Sequence, residues 1–406
     1  MFKKIFKNFG PGPLIAAAFI GPGTVTLCTL AGVNFGMALL WTLLIAIVSA
    51  LVLQSMAVKI GMIGRKNITE AIREEVQTPW IKFAVLTLIF SAILVGNTAY
   101  EAGNISGAVL GLETLFGSFQ LNLGAFKINL FSVLIGFIAA TLLWTGKYKI
   151  IEHTLISLVL LMSLSFLVTA SATQPPLLRI VKGLFTFETP EGSLLTIIGL
   201  VGTTIVPYNL FLHTALAKEK WSHPSDLPHA LKDMTVALTL GGLISLSVII
   251  TAAGVEASDI RSAADLALGL EPVFGSFANY FLAIGLFAAG ITSTITAPLA
   301  TAYVVCGCFG WSTDLKSNHF KWIWLFVILV GVLFSATGIQ LITIIQFAQI
   351  TNGLLLPIIA AVLLWLMNKS KLLGVFKYKA KQNALGLLIV FLALFLSLRT
   401  LYLIFL

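Results

Sequence analysis

The chain has 406 residues, of which 58% are hydrophobic and 10% charged, where an ordinary soluble domain carries about 25% charged. Dispersed in water it would expose far more apolar surface than a soluble monomer tolerates, which excludes a soluble enzyme or binding module. The net charge of +9 raises nucleic acid as a partner, but the placement of the basic residues gives that charge another meaning.

Taken in chain order, stretches long and apolar enough to span a bilayer fall near 13–34, 38–62, 82–111, 127–146, 153–171, 193–216, 232–253, 276–305, 322–338, 340–366 and 384–405. Eleven spans with a cytoplasmic N-terminus leave only Lys127, Arg179, Lys182, Arg261 and Arg399 outside, and place the other twenty Lys and Arg inside. That asymmetry is the positive-inside pattern. The expectation is a multi-pass protein of a cytoplasmic (inner) membrane, N-terminus in and C-terminus out, with lipid and not nucleic acid as its macromolecular surroundings. Lys3, Lys4 and Lys7 ahead of an apolar run imitate a signal peptide. The run is broken by Gly21-Pro22-Gly23 and offers no clear small-residue cleavage site, so it reads as a retained helix. Cys28, Cys306 and Cys308 lie in or at the ends of spans and read as buried free thiols, with no disulfide framework and no metal site. Trp41, Trp80, Trp144, Trp322 and Trp324 near span ends read as an aromatic belt.

The first span is interrupted at Gly21-Pro22-Gly23-Thr24 and the sixth at Val206-Pro207. Proline inside a helix removes a donor and clashes with the preceding turn. In hydrocarbon the freed backbone groups must face protein, water or a ligand. Broken helices one and six divide the chain into repeats of five spans, 1–171 and 172–383, followed by an eleventh helix at 384–406. Repeats of five spans are inverted relative to each other, and interrupted helices at equivalent positions point to a transport site at the bilayer midplane. No phosphate-binding Gly-x-x-x-x-Gly-Lys loop and no paired catalytic groups occur, which argues against ATP drive and against an enzyme.

The sixth-span run Pro207, Asn209-Leu210-Phe211-Leu212-His213, the segment Ala288-Ala289-Gly290 with Ser293-Thr294-Ile295-Thr296, and Gln349 with Gly353 and Leu356-Pro357 together resemble the natural resistance-associated macrophage protein (NRAMP) family of metal-ion transporters. The resemblance covers most of the chain. It implies an all-α leucine-transporter-type fold, a 5+5 inverted repeat, working by alternating access. It also implies metal ligands in an Asp-Pro-Gly-Asn motif of the first helix and a Met-Pro-His-Asn motif of the sixth. This chain holds Gly21, Pro22, Gly23 and Thr24 at the first and Val206, Pro207, Tyr208 and Asn209 at the second. Of the expected side-chain ligands only Gln349 remains. A divalent ion facing neutral oxygens alone lacks the charge that offsets its desolvation.

Half-helix N-termini present free amides and partial positive charge. The expected substrate site is Gly21, Gly23, Thr24, Thr203, Thr204, Val206, Tyr208, Asn209 and Gln349, with a small anion such as bicarbonate as cargo. Thr292, Ser293, Thr294 and Thr296, with the backbone of Gly21, are hard oxygen donors suited to Na⁺ as coupling ion. The other reading of those hydroxyls is helix packing. Glu101 and His213 are candidates for a proton relay, each with a packing role as the alternative. No cofactor is expected. The remaining readings are a divalent-cation (Mn²⁺, Fe²⁺ or Mg²⁺) transporter with a divergent site, and a transport-inactive sensor or scaffold.

Overall fold

The computed structural model describes residues 20–123, 126–146, 148–255 and 260–405. Proline sets where its helices begin. Pro22, Pro79 and Pro207 each occupy the first helical position, where the missing N–H is one the helix could not have used. Chain order gives α1 (Pro22–Phe35), α2 (Leu40–Met62), α3 (Ile68–Glu75) and α4 (Pro79–Phe116), then strands β1 (Gln120–Leu123) and β2 (Phe126–Asn129). There follow α5 (Leu130–Thr145), α6 (Tyr148–Ala172), α7 (Leu177–Phe185), α8 (Leu194–Thr204), α9 (Pro207–Lys220) and α10 (Leu227–Ala252). The chain closes with α11 (Ala263–Ala267), α12 (Ala278–Phe309), α13 (Asn318–Ala336), α14 (Leu341–Leu366) and α15 (Ala380–Phe405).

Among the described residues nine helical segments are long and apolar enough to cross a membrane, α8 and α9 counting as one, and α5 is a shorter apolar helix. The first expected span is represented by α1 alone, because its start at 13–19 lies outside the described residues, as do Lys3, Lys4 and Lys7. The fourth expected span starts later than its apolar pattern suggested. Residues 126–129 instead pair antiparallel with 120–123, Gln120 opposite Asn129. Asn129 then caps α5 by accepting from Phe131 N at 3.0 Å, the ordinary device for starting a helix.

Helix α4 is the hub of the bundle, packed along α12, α13 and α14, while α1 lies on α10 and α9 on α2. Small residues bring these backbones together, as expected where lipid supplies no hydrophobic drive between helices. A methyl group at Gly290 of α12 would overlap the backbone of Ala108 of α4, and one at Gly103 would overlap Ala348 of α14. Large apolar side chains such as Phe137 and Phe391 point outward, toward the hydrocarbon. Cys28, Cys306 and Cys308 are buried free thiols.

Candidate functional site

The sixth span breaks where the sequence places the interruption. α8 ends at Thr204, Ile205 and Val206 leave the helical region, and α9 starts at Pro207. Gly21, with extended backbone, sits at the N-cap of α1. Neither Gly21 nor Val206 contributes a side-chain cap, Pro22 and Pro207 have no N–H, and Thr24 N and Asn209 N turn back to the Gly21 and Val206 carbonyls. The start of α1 meets the sixth-span break. Thr24 Oγ1 and Thr203 Oγ1 share a buried hydrogen bond of 2.9 Å across 179 residues of chain.

Helix α14 closes this junction. The Gln349 side chain lies directly over the Cα of Gly23, and Gly202 lies on the backbone of Gln349 and Gly353, so neither glycine leaves room for a methyl group. On the other side Gly21 faces α12 and α4. A Cβ there would meet Ser293 Oγ and Tyr100 Oη at 3.6 Å each, an ordinary contact distance. Tyr100 stands edge-on to Tyr208, ring centroids 5.3 Å apart. Thr24, Thr203, Thr204, Val206, Tyr208, Asn209 and Gln349 are all buried, so the expected substrate residues come together.

The hydrogen-bond inventory gives this junction its character. Thr26 Oγ1, Thr204 Oγ1, Ser293 Oγ, Thr294 Oγ1 and Gln349 Oε1 are buried without a partner, while the Tyr208 hydroxyl lies within reach of Tyr100 and Thr296. Buried polar atoms are normally paired, and each unpaired one costs about 1–3 kcal/mol. Four of these five unpaired atoms lie at the sixth-span break and on the facing stretches of α12 and α14, and Thr26 is one step along α1. The collection offers hydroxyls, an amide oxygen and helix-end amides, and no carboxylate. Among the described residues no three His, Cys, Asp or Glu side chains gather where they could hold a metal ion.

The expected coupling-ion residues divide. Thr292 and Thr296 direct their hydroxyls to carbonyls one turn back in α12, which is the helix-internal alternative. The Gly21 carbonyl closes the first turn of α1 by accepting from Thr24 N at 3.1 Å and Val25 N at 3.3 Å. Ser293 and Thr294 keep hydroxyls without partners. The two relay candidates have different surroundings, and Glu101 lies near Tyr100 and Tyr208. His213 Nδ1 donates to Gln54 Oε1 at 2.7 Å, tying α9 to α2. Glu101 packs against Gly331 of α13. Asn352 is buried with neither amide atom paired and faces Gly96 of α4, so it does not join Gln349 at the breaks. Tyr100 is the residue that sequence reasoning left out of the site. Its only signal was its place beside Glu101, which turns it to the adjacent face of α4.

Solved structures share this architecture. The manganese transporter of Eremococcus coleocola, in a crystal structure with an aromatic bis-isothiourea compound, superposes with a TM-score of 0.76 at 21% identity over 98% of this chain and 87% of that one. Mhp1, a nucleobase-cation-symport-1 family transporter, matches with a TM-score of 0.56 at 17% identity over 97% of this chain and 92% of its own. The fold is therefore the leucine-transporter type, that of multi-pass membrane transporters with broken first and sixth helices. The profile of the natural resistance-associated macrophage protein-like family matches residues 12–403, and the chain belongs to that family. Among relatives, the divalent metal cation transporter MntH of Bradyrhizobium diazoefficiens is 25% identical over 98% of this chain and 90% of its own length.

Proposed function

We propose that this protein is a secondary active transporter that moves a small inorganic ion across the cytoplasmic membrane by alternating access, loading and releasing it where the two helix breaks meet. The observation that carries this reading is the Thr24–Thr203 hydrogen bond between the breaks, surrounded by buried hydroxyls that have no partner within the protein. The proposed orientation has the N-terminus cytoplasmic, the β1–β2 hairpin outside and the Arg65-bearing end inside. The repeats are 1–171 and 172–383, with α15 as the added eleventh helix.

For the cargo, the chemistry of the junction favours a small oxyanion, with bicarbonate as the type case. Two helix N-termini without side-chain caps bring partial positive charge, hydroxyls of Thr204 and Ser293 can donate, and the break residues themselves carry no carboxylate. Ser293 and Thr294 are the side chains available to a Na⁺ coupling ion, which needs hard oxygens. A second reading has a specific observation behind it, since MntH relatives along nearly the whole chain are named divalent metal cation transporters. On that reading Gln349, Thr24 and backbone carbonyls receive a divalent cation that keeps much of its water shell, as Mg²⁺ does.

Reconstituted vesicles decide between them. Uptake of labelled bicarbonate above empty vesicles, without Mn²⁺ or Mg²⁺ flux, is the expected result, and flux of either metal with none of bicarbonate would transfer the site to the second reading. Replacing sodium by choline tests the coupling ion in the same assay. Absence of flux for every ion would overturn transport itself.

A further inference from the structure

The connection between α14 and α15 is folded against the bundle. Asn368, just past α14, and Asn383, in the first turn of α15, exchange side-chain hydrogen bonds, Nδ2 to Oδ1 at 2.8 Å each way, and close its base. Tyr378 N donates to Met367 O at 3.0 Å. Leu372, Leu373 and Tyr378 are buried. Leu372 lies directly over Gly64, beyond the end of α2, and Lys59 of α2 stands 4.9 Å from the centre of the Tyr378 ring. What this platform leaves outside is Val375, 88% exposed, and a set of lysines.

Lys369, Lys371, Lys377, Lys379 and Lys381 fall within thirteen residues, and no Asp or Glu follows Asp314 in the sequence. Lys369 covers the Trp365 ring at 4.3 Å, and the other four are exposed. Among the described residues none of the five is in an ion pair. Two other connections at this end of the bundle are balanced. Residues 65–75 set three cations against three acids, and residues 218–233 set three lysines against three acids. Orientation in a membrane depends on Lys and Arg and is nearly indifferent to Asp and Glu. Topology therefore accounts for the lysines and leaves the missing acids unexplained. Unopposed cations on one folded segment repel each other, and an anion from outside the chain relieves that repulsion.

The surroundings select the anion. α15 starts at Ala380, and from Leu385 onward Leu387, Leu388 and Phe391 are exposed apolar side chains that require hydrocarbon around them. Lys381 precedes Leu385 by about one turn, so the lysines stand where hydrocarbon gives way to headgroups. A free phosphate or an acidic protein would match the charge and leave Val375 in water. A phospholipid answers both features, since its phosphate meets the lysines and its chains meet the apolar face below them.

We propose that the α14–α15 platform is a binding site for an anionic phospholipid of the inner leaflet, its phosphate held by Lys377, Lys379 and Lys381 and its acyl chains lying along α15. The inference is independent of the cargo, and rests on the proposed orientation only in assigning the leaflet.

Mass spectrometry of the intact chain released from neutral-detergent micelles counts the lipids it carries. Phosphatidylglycerol is expected to bind at least about tenfold more tightly than phosphatidylcholine. Lys377→Gln combined with Lys379→Gln is expected to erase that preference, and Lys377→Arg with Lys379→Arg to keep it. Lys232→Gln combined with Lys316→Gln removes the same charge from exposed positions elsewhere and is expected to change nothing. An undiminished preference in the Lys377 and Lys379 glutamine variant, or equal loss in the Lys232 and Lys316 variant, overturns the site. Release of the lipid by inorganic phosphate beyond that by sodium chloride of equal ionic strength overturns a lipid as its occupant. The leaflet is read separately with Val375→Cys, since Cys28, Cys306 and Cys308 are buried. A membrane-impermeant maleimide is expected to label it in inside-out vesicles and not in right-side-out ones. The reverse pattern overturns the inner leaflet while the binding result stands on its own.

Discussion

The junction of the two helix breaks and the Arg65-bearing end of the bundle use polar residues in opposite ways. At that end Arg65, Lys218 and Glu70 all have partners around α3, and Asn67 Oδ1 is the exception. Arg65 donates to Lys218 O at 2.7 Å and to Trp221 O at 2.8 Å, at the C-terminus of α9. Lys218 pairs with Glu70 at 3.1 Å, and Glu70 also accepts from Asn67 N to close the capping box of α3. At the junction Thr204, Ser293, Thr294 and Gln349 stay unpaired although burial makes that costly. The difference teaches where stability and function lie. The satisfied end fastens α9 to α2 and α3, and the unsatisfied junction awaits a partner from outside the chain.

Two glycines of that junction, one in each repeat, give the largest expected contrast. Gly202→Ala drives a methyl group into the backbone of α14, where neither side can yield, and is expected to cost about 3 kcal/mol and to abolish transport. Gly21→Ala has ordinary contact room and a negative φ, and is expected to change stability by less than about 1 kcal/mol. Thermal unfolding in detergent, followed by tryptophan fluorescence, compares the two. Equal midpoints would break the claim that α8 and α14 touch through glycine. The same space at Gly21 sharpens the reading of cargo. Gly21→Asp places a carboxyl beside Ser293 and Tyr100, and is expected to tighten Mn²⁺ binding by about 3 kcal/mol, roughly a hundredfold in Kd, while suppressing bicarbonate flux. Isothermal calorimetry with Mn²⁺ reads the gain, and identical isotherms for both proteins would remove the missing carboxylate from the explanation.

At the satisfied end the expected effect is smaller. Arg65→Ala strips two hydrogen bonds from the last carbonyls of α9, where a cation also suits the helix dipole. Arg65 is exposed, so the loss is expected to be about 1 kcal/mol, read as a lower unfolding midpoint with cargo affinity unchanged. A shift in affinity would join the two regions that the contrast separates.

Much of this was legible in the sequence because the bilayer simplifies the problem. Apolar length marked the helices, and Pro22 and Pro207 marked the breaks, since lipid tolerates freed backbone only where protein or cargo meets it. The resemblance at Pro207–His213 and Gln349 supplied the fold. What stayed hidden depended on direction within a turn. Nothing in the order of Tyr100 and Glu101 tells which faces the breaks and which faces α13. Nothing in the run Thr292–Thr296 tells that two hydroxyls bond their own helix while Ser293 and Thr294 do not. The hairpin at 120–129 was lost in the apolar run that follows it, because a four-residue alternation is too short to stand out.

The smallest expected effect concerns Asp265, in the segment between α10 and α12 that lies outside the membrane in the proposed orientation. Burial pushes its carboxyl upward, but hydrogen bonds from Arg261 N, Ser262 Oγ and Ser262 N outweigh it and hold the group below the ordinary aspartate range. A carboxyl whose folded value is depressed adds stability that is complete above its unfolded value and is lost as pH falls through the folded one. Because the group is largely solvent-facing, the contribution is on the order of half a kcal/mol. Asp265→Asn is therefore expected to lower the unfolding midpoint slightly at neutral pH and to leave it unchanged in acid, where the wild-type carboxyl is also neutral. A difference that persists below the aspartate range would mean that Asp265 holds α11 by shape and not by charge. A cavity at the hairpin end of the bundle, lined by Arg261 and Ser262, would then owe its wall to packing.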